Sequence, residues 1–224
     1  MGGDEDIEYF LLRPEDFNQV TALVDDDYLT REPLNLGAHS QNVGAQSTAS
    51  SAVGATGWYL KKCLVSGVSF GARDRETGAL VGVRLAYVKT RSDSAAEEAA
   101  DGEKTEVEIR GLGVVEEVGS KVDLFQDPGV EKVLYMYLLS VRRDYCNRGI
   151  GRKLVQAATE RGKDLGCQLA FATITNVLSG RIFAGVGYET RYTLDMTTPE
   201  GDRGFDLSAM EGNTSIQAMT KRLR

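Results

Sequence analysis

One histidine, His39, and three cysteines, Cys63, Cys146 and Cys167, are all that 224 residues provide of the side chains most used for metal ligation and nucleophilic triads. His39 sits in a stretch rich in Gly, Ala and Ser. A histidine-ligated zinc site is thereby excluded, a Ser-His-Asp triad has no elbow motif to rest on, and the residue reads as surface. The cysteines are too few and too scattered for a disulfide framework, and no pair has metal-ligand spacing. A reduced, cytoplasmic protein without a metal is the expectation. No apolar run approaches the roughly 20 residues that span a bilayer. The start, Met1-Gly2-Gly3-Asp4-Glu5-Asp6, lacks the basic and apolar regions of an export signal, and Asp6 stands where a myristoylation signal wants Ser or Thr. No membrane partner is expected. Basic residues are outnumbered, 26 against 33, for a net charge of −7. That balance argues against nucleic acid as a partner and favours a cationic substrate only as a weak, long-range bias.

What is present is ordinary globular material. The chain is 42% apolar, enough for a full core. Ile7 to Leu12 reads as a strand, and Arg13-Pro14-Glu15-Asp16 opens a helix whose buried stripe is Phe17, Val20, Leu23 and Val24. Pro33 biases Glu32 away from helical geometry, and residues 36 to 57 read as a mobile loop or a poorly formed helix. Val68 to Ala72 and Ala79 to Tyr87 form a hairpin across Arg73 to Gly78. Ser92 to Lys104 reads as a solvated helix or loop, and Val107 to Val122 as helical. From Val133 the order is strand to Val141, glycine loop, helix to about Leu165, strand Gln168 to Ile174 and helix Val177 to Ala184, with closing strands at Tyr188 to Met196 and Ser215 to Arg222. With no repeat and no linker, one mixed α/β domain over residues 1–224 is expected, acting as a monomer.

The glycine loop carries the chemistry. Gly149 and Gly151 let the backbone approach an anion closely, and the helix starting there directs unpaired N–H groups and the positive end of its dipole at it. Only two glycines of the dinucleotide fingerprint are present. The loop also comes late, and the following strand ends in Thr173-Ile174-Thr175 without a ribose-binding acid.

With its flanks, Cys146-Asn147-Arg148-Gly149-Ile150-Gly151 resembles motif A of the GNAT superfamily, [Q/R]-x-x-G-x-[G/A], with Cys146 where Gln or Arg is usual. Asn176 and the residues to Gly187-Tyr188 resemble the second signature of that family. Arg31-Glu32-Pro33-Leu34-Asn35 is similar to the D-E-P-L-N signature of arthropod-type arylalkylamine N-acetyltransferases. Leu139-Ser140-Val141, Ser179 and Ile216-Gln217-Ala218-Met219 extend the likeness over nearly the whole chain, least between Ser92 and Gly129.

The resemblance implies a GNAT fold: a central mixed, largely antiparallel twisted sheet flanked by helices. It implies acetyl-coenzyme A as co-substrate and a small-molecule amine as acceptor. Coenzyme contacts fall to Leu139, Ser140, Val141, Asn147, Arg148, Gly149, Ile150, Gly151, Arg152 and Asn176, with Lys153 beside them, and the catalytic roles to Glu32, Ser179 and Thr175. Glu32 would be the general base, acting through a water on an amine whose pKa near 10 keeps it protonated at neutral pH. Ser179 and Thr175 would donate to the leaving thiolate or position substrate. Phe183 stands where many relatives place a general-acid tyrosine, so the acid would come from elsewhere or from water. Tyr28, Trp58, Tyr59 and Tyr192 are candidate walls for the aromatic end of the acceptor. The acceptor class left beside arylalkylamines is a polyamine or other aliphatic amine, and the non-enzymatic alternative is a coenzyme-A-binding regulatory module.

Overall fold

A computed structural model describes residues 6–39, 57–93 and 106–223. Seven strands form one sheet in the order β1-β2-β3-β4-β5-β7-β6. They are β1 (Ile7–Leu11), β2 (Phe70–Asp74), β3 (Leu80–Thr90), β4 (Lys132–Val141), β5 (Leu169–Ile174), β6 (Glu189–Asp195) and β7 (Ser215–Arg222). Every pairing is antiparallel except β4 with β5, so this is a mixed α/β fold on a largely antiparallel sheet.

The helices are α1 (Phe17–Leu23), which runs into a π turn at Val24–Tyr28, α2 (Pro33–His39), α3 (Gly57–Val65), α4 (Glu106–Ser120), α5 (Ile150–Asp164) and α6 (Val177–Gly185). They divide between the two faces according to the strand period of two. Leu134, Met136, Ala170 and Ala172 pack with Val155 and Ala158 of α5 and Phe183 of α6. On the opposite face Val83, Leu85, Tyr87 and Leu138 pack under α1 and α3, and Val133, Phe171, Ile216 and Ala218 pack under α2 and α4. None of the helices among the described residues is long and apolar enough to cross a membrane.

The sequence reading and the structure differ in two places. Residues 36–39 are the end of α2, neither a loop nor a poorly formed helix. Pro33 fits the first helical position with its φ already set, and Leu34 and Ala38 are buried against Val114 and Val118 of α4. Gly57 opens α3, an element absent from the sequence reading, whose Tyr59, Leu60, Cys63 and Leu64 face the sheet. Residues 40–56, and nearly all of the acidic stretch from Ser92, lie outside the described residues, as does the side chain of His39. Cys63 and Cys167 are buried and Cys146 is exposed.

Two features of β4 open the sheet. Leu85 faces Leu138 while Ala86 faces Met136, which leaves Tyr137 as an extra residue in β4, a β-bulge. The bulge turns both Tyr137 and Leu138 toward the α1 and α3 face and returns Leu139 and Val141 to the α5 face. Beyond it the ladder with β5 stops: the last pair is Met136 with Ala172. Leu138 to Val141 keep partners only in β3, and Thr173 and Ile174 only in β7. A wedge therefore separates the two parallel strands at their C-terminal ends, where open sheets place ligands.

Candidate active site

The wedge is the centre of a cleft of about 450 Å³. Its one wall is Met136 to Val141 of β4 with the start of α5, and its other is Thr173 to Asn176 with α6. A second, smaller pocket of about 150 Å³ opens from the opposite face, under α2 and α4. Tyr28, Glu32, Met136, Tyr137, Leu138, Thr173 and Thr175 border both. Two cavities thus meet through the gap in the sheet.

At the α5 end, Gly149 takes a left-handed φ of 78° and is the residue before the helix, with no side-chain cap on the helix start. The first-turn amides are left for an outside acceptor. A Cβ on Gly151 would lie 3.1 Å from Ile182 Cδ1, and 3.7 and 3.8 Å from Val141 and Leu139 side-chain carbons. The absent side chain keeps open the cradle between α5, α6 and β4. Asn147 also adopts a positive φ, 61°, in the turn leading in. These features fit a pyrophosphate with a slim arm running along β4.

The side chains named from sequence around this cradle divide. Arg152 borders the cleft and donates to the carbonyl of Gly185 at 3.1 Å. Arg148 does not border the cleft: it stacks on Tyr145, 4.6 Å from the ring centre, and donates to the Asp144 carbonyl at 3.1 Å. Lys153 lies over Tyr9, away from the cleft. Asn176 borders the cleft, but its Oδ1 accepts from the amides of Leu178, at 2.8 Å, and Ser179, at 3.4 Å. It caps α6. Ser140 Oγ donates to Asp27 Oδ2 at 3.1 Å, and Arg31, paired with that same carboxylate, donates to the Val141 carbonyl at 2.9 Å. The π turn is thereby fastened to the end of β4 through Asp27, five residues before Glu32, and through Arg31 next to it.

Glu32 occupies the junction of the two cavities and is 7% exposed. Its Oε2 accepts the amide of Asn35 at 2.8 Å, and its Oε1 is buried without a hydrogen-bond partner. Burial pushes its pKa above the usual carboxylate range, opposed by the Asn35 amide, the Thr175 hydroxyl and the Leu34 amide. Glu32 and Thr175, far apart in sequence, are therefore neighbours. One oxygen is anchored and the other is free, a carboxylate tuned upward and able to take a proton. Ser179 borders the coenzyme-side cleft only.

The smaller pocket is aromatic. Tyr59 stacks on Tyr137 with ring centres 4.8 Å apart, Tyr87 stacks on Tyr135 at 4.9 Å, and all four border it together with Tyr28. Trp58 packs against the α1 and α3 core and Tyr192 against the α2 and α4 core, and neither borders a pocket wall beside Glu32. Tyr87, Tyr135 and Tyr137 were not singled out from sequence. Their signal is the alternation of tyrosine in Leu134-Tyr135-Met136-Tyr137, legible as a face but not as a pocket. Also unforeseen is Arg84, which borders the cleft and is 2% exposed. An arginine within Val81-Gly82-Val83-Arg84-Leu85-Ala86-Tyr87 is a visible exception.

The acetyltransferase (GNAT) family profile matches residues 58–183. No curated protein sequence matches the chain. Among solved structures, an arylalkylamine N-acetyltransferase 2 from Aedes aegypti superposes with a TM-score of 0.80 at 20% identity, covering 98% of this chain and 100% of that one. A polyamine N-acetyltransferase from Drosophila melanogaster, which forms N-acetylagmatine, gives 0.72 at 21% identity, over 97% and 100% of the two chains. A more distant likeness, to the Arabidopsis thaliana protein NAA60 in complex with acetyl-CoA, gives 0.53 at 12% identity over 96% and 99%.

Proposed function

The chain belongs to the acetyltransferase (GNAT) family, and we propose that it transfers the acetyl group of acetyl-coenzyme A to the primary amine of an arylalkylamine, by direct attack in a ternary complex. The observation that carries this reading is the position of Glu32, with a free buried oxygen where the coenzyme-side cleft meets the tyrosine-lined pocket.

The coenzyme supplies an activated acyl group as a thioester. The amides at the α5 start receive its phosphates, and the free edge of β4 from Leu138 to Val141 aligns the slim arm toward the wedge. Glu32 takes a proton from the incoming ammonium, directly or through a water, and frees the nitrogen lone pair. At neutral pH that deprotonation costs about 4 kcal/mol in water, and the negative carboxylate lowers it. Five tyrosines around the smaller pocket enclose an aromatic ring and exclude water. Cys146 borders the cleft but lies in the turn before α5, so a covalent acyl-cysteine has no support from its position.

A second acceptor class has one observation in its favour: Glu116 borders the same pocket as Glu32. Two carboxylates on the lining of one pocket suit a diamine. Thiol release from acetyl-coenzyme A with tyramine, dopamine, spermidine and a lysine peptide separates the readings. The proposal expects turnover with the aromatic amines at lower KM. Activity with spermidine and none with tyramine would replace it by the polyamine reading, and no turnover with any amine despite coenzyme binding would leave a regulatory module.

A further inference from the structure

We propose that Arg84 is a further catalytic residue: its guanidinium receives the thiolate that leaves when the acyl–sulfur bond breaks, a role that rests on the acetyl-transfer reading above.

Arg84 lies mid-strand in β3 among apolar residues, and taking a guanidinium out of water costs several kcal/mol unless an anion meets it. None does within the described residues. Its Nε contacts the Met136 sulfur at 3.2 Å, its charged carbon lies 5.2 Å from the centre of the Phe183 ring, and its Nη2 has no hydrogen-bond partner. The titratable groups that bear on it are Tyr188, before β6, Cys63 of α3 and Tyr28 of the π turn. Burial pushes all three up, Tyr188 to about 12, so each is neutral at physiological pH. Burial also brings Arg84 down to about 10, and it stays charged. Glu32 bears on Tyr28 rather than on Arg84.

Its neighbours fix where this charge stands. Met136 is the last residue of β4 that pairs with β5, and Phe183 is the inward-facing residue of α6. The guanidinium is therefore at the apex of the wedge, on the α5 and α6 side, bordering the coenzyme-side cleft. Of the other cations bordering that cleft, Arg31 has Asp27 and the Val141 carbonyl and Arg152 the Gly185 carbonyl, while Arg181 of α6 is exposed to water rather than held in the wedge.

The reaction needs a positive charge there. As the nitrogen–carbon bond forms, the carbon–sulfur bond breaks and its electron pair stays on sulfur. The amine's proton goes to Glu32 on the other side of the gap. A thiolate left in a buried cleft is stabilised by a fixed cation already desolvated and oriented before the reaction starts. Glu32 passes that first proton to solvent and takes the second one that nitrogen sheds as the amide forms; relayed through water, it protonates the thiolate as product departs and returns Glu32 to its carboxylate.

The test titrates the thiol of bound coenzyme A by its ultraviolet thiolate absorbance, which needs no acceptor amine. In the unmodified protein the bound thiol should ionise about 1 pH unit or more below the free coenzyme. Arg84→Met should abolish that shift, and Arg84→Lys, which keeps the charge, should restore most of it. Turnover by Arg84→Met should fall roughly 10²- to 10³-fold, with coenzyme KM changed less than kcat. A bound thiol that ionises no lower than the free one in the unmodified protein overturns the assignment whether or not the variants fold. So does an equal shift in Arg84→Met, as would a preference for a carboxylate-bearing acyl donor over acetyl. Failure of the unmodified protein to bind coenzyme A at all would overturn the acetyl-transfer reading itself, and this one with it.

Discussion

The two sides of the wedge are built by different means. On the side proposed for the coenzyme, most of the cleft comes from Met136 to Phe183, one stretch of chain joined by Arg84 and by residues from Tyr28 to Pro33, and its distinctive parts are backbone: a strand edge without a partner, a left-handed glycine, and a helix start without a side-chain cap. On the acceptor side, the surface comes from side chains of the π turn, α2, α3, β3, β4, β5 and α4, brought together only by the fold. Backbone sites are tolerant of side-chain identity but intolerant of added bulk. Side-chain sites are the reverse. Under the proposed function, that difference suits the coenzyme side to one invariant ligand and the acceptor side to a variable one.

The largest effect should come from the one residue on which both sides depend. Glu32→Gln should lower turnover by roughly 10²- to 10⁴-fold and leave coenzyme affinity, read by calorimetry, nearly unchanged. Because burial raises the Glu32 pKa, its active, ionised form is lost as pH falls through a value above the ordinary carboxylate range. The acid limb of kcat/KM in the unmodified protein should lie there, and the variant should lack it. An unaltered pH profile would remove Glu32 as base, and a parallel loss of coenzyme affinity would show that the two sides are not separable.

Gly151→Val tests the coenzyme side. The first added carbon meets Ile182 at 3.1 Å and the branch extends into the cradle. Overpacking of this kind costs about 1–3 kcal/mol, roughly 5- to 150-fold in coenzyme affinity. The acceptor KM should hold. A smaller effect, confined to the acceptor, follows from Tyr137→Leu, which removes one ring of the Tyr59 stack at the bulge. Aromatic pairs of this geometry contribute about 0.5–1.5 kcal/mol beyond area, so acceptor KM should rise several-fold for tyramine while coenzyme KM does not move. Equal changes in both would contradict the division of the wedge.

The same division explains what the sequence made legible. Gly149, Gly151 and the amphipathic run after them are local features with local consequences, and the strand, turn and helix appear where their pattern places them. The Glu32 to Asn35 signature pointed to a residue that borders both cavities, yet nothing near it in sequence shows that Thr175 would be its neighbour. Arg84 is visible as a charge in an apolar strand, but its meaning depends on Met136 and Phe183, residues distant in the chain. Tyr137 enters the pocket only because β4 bulges there, and a period-two pattern carries no mark of one extra residue. Arg148 is the opposite case: its place in the motif suggested a phosphate contact, and its side chain lies on Tyr145 outside the cleft lining, a placement no neighbour in sequence announces.

The two helix starts that face the cleft sharpen the comparison by the smallest expected effect. At α5 the first-turn amides have no side-chain cap. At α6 the amides of Val177, Leu178 and Ser179 are all satisfied within the protein, the first by Asn213 Oδ1 at 2.8 Å and the others by Asn176. A helix start whose donors are already engaged has little left for an anion, so of these two starts α5 is the one open to a phosphate. Asn176→Ala should then act on stability, by about 1 kcal/mol as loss of a cap, or roughly 2–4 °C in melting temperature for a chain of this size. Asn176→Asp, which keeps an accepting oxygen, should retain most of that stability. Coenzyme affinity should change little in either variant. A tenfold loss in Asn176→Ala at unchanged melting temperature would show that the side chain leaves its cap to meet the coenzyme, and that α6 is as open as α5.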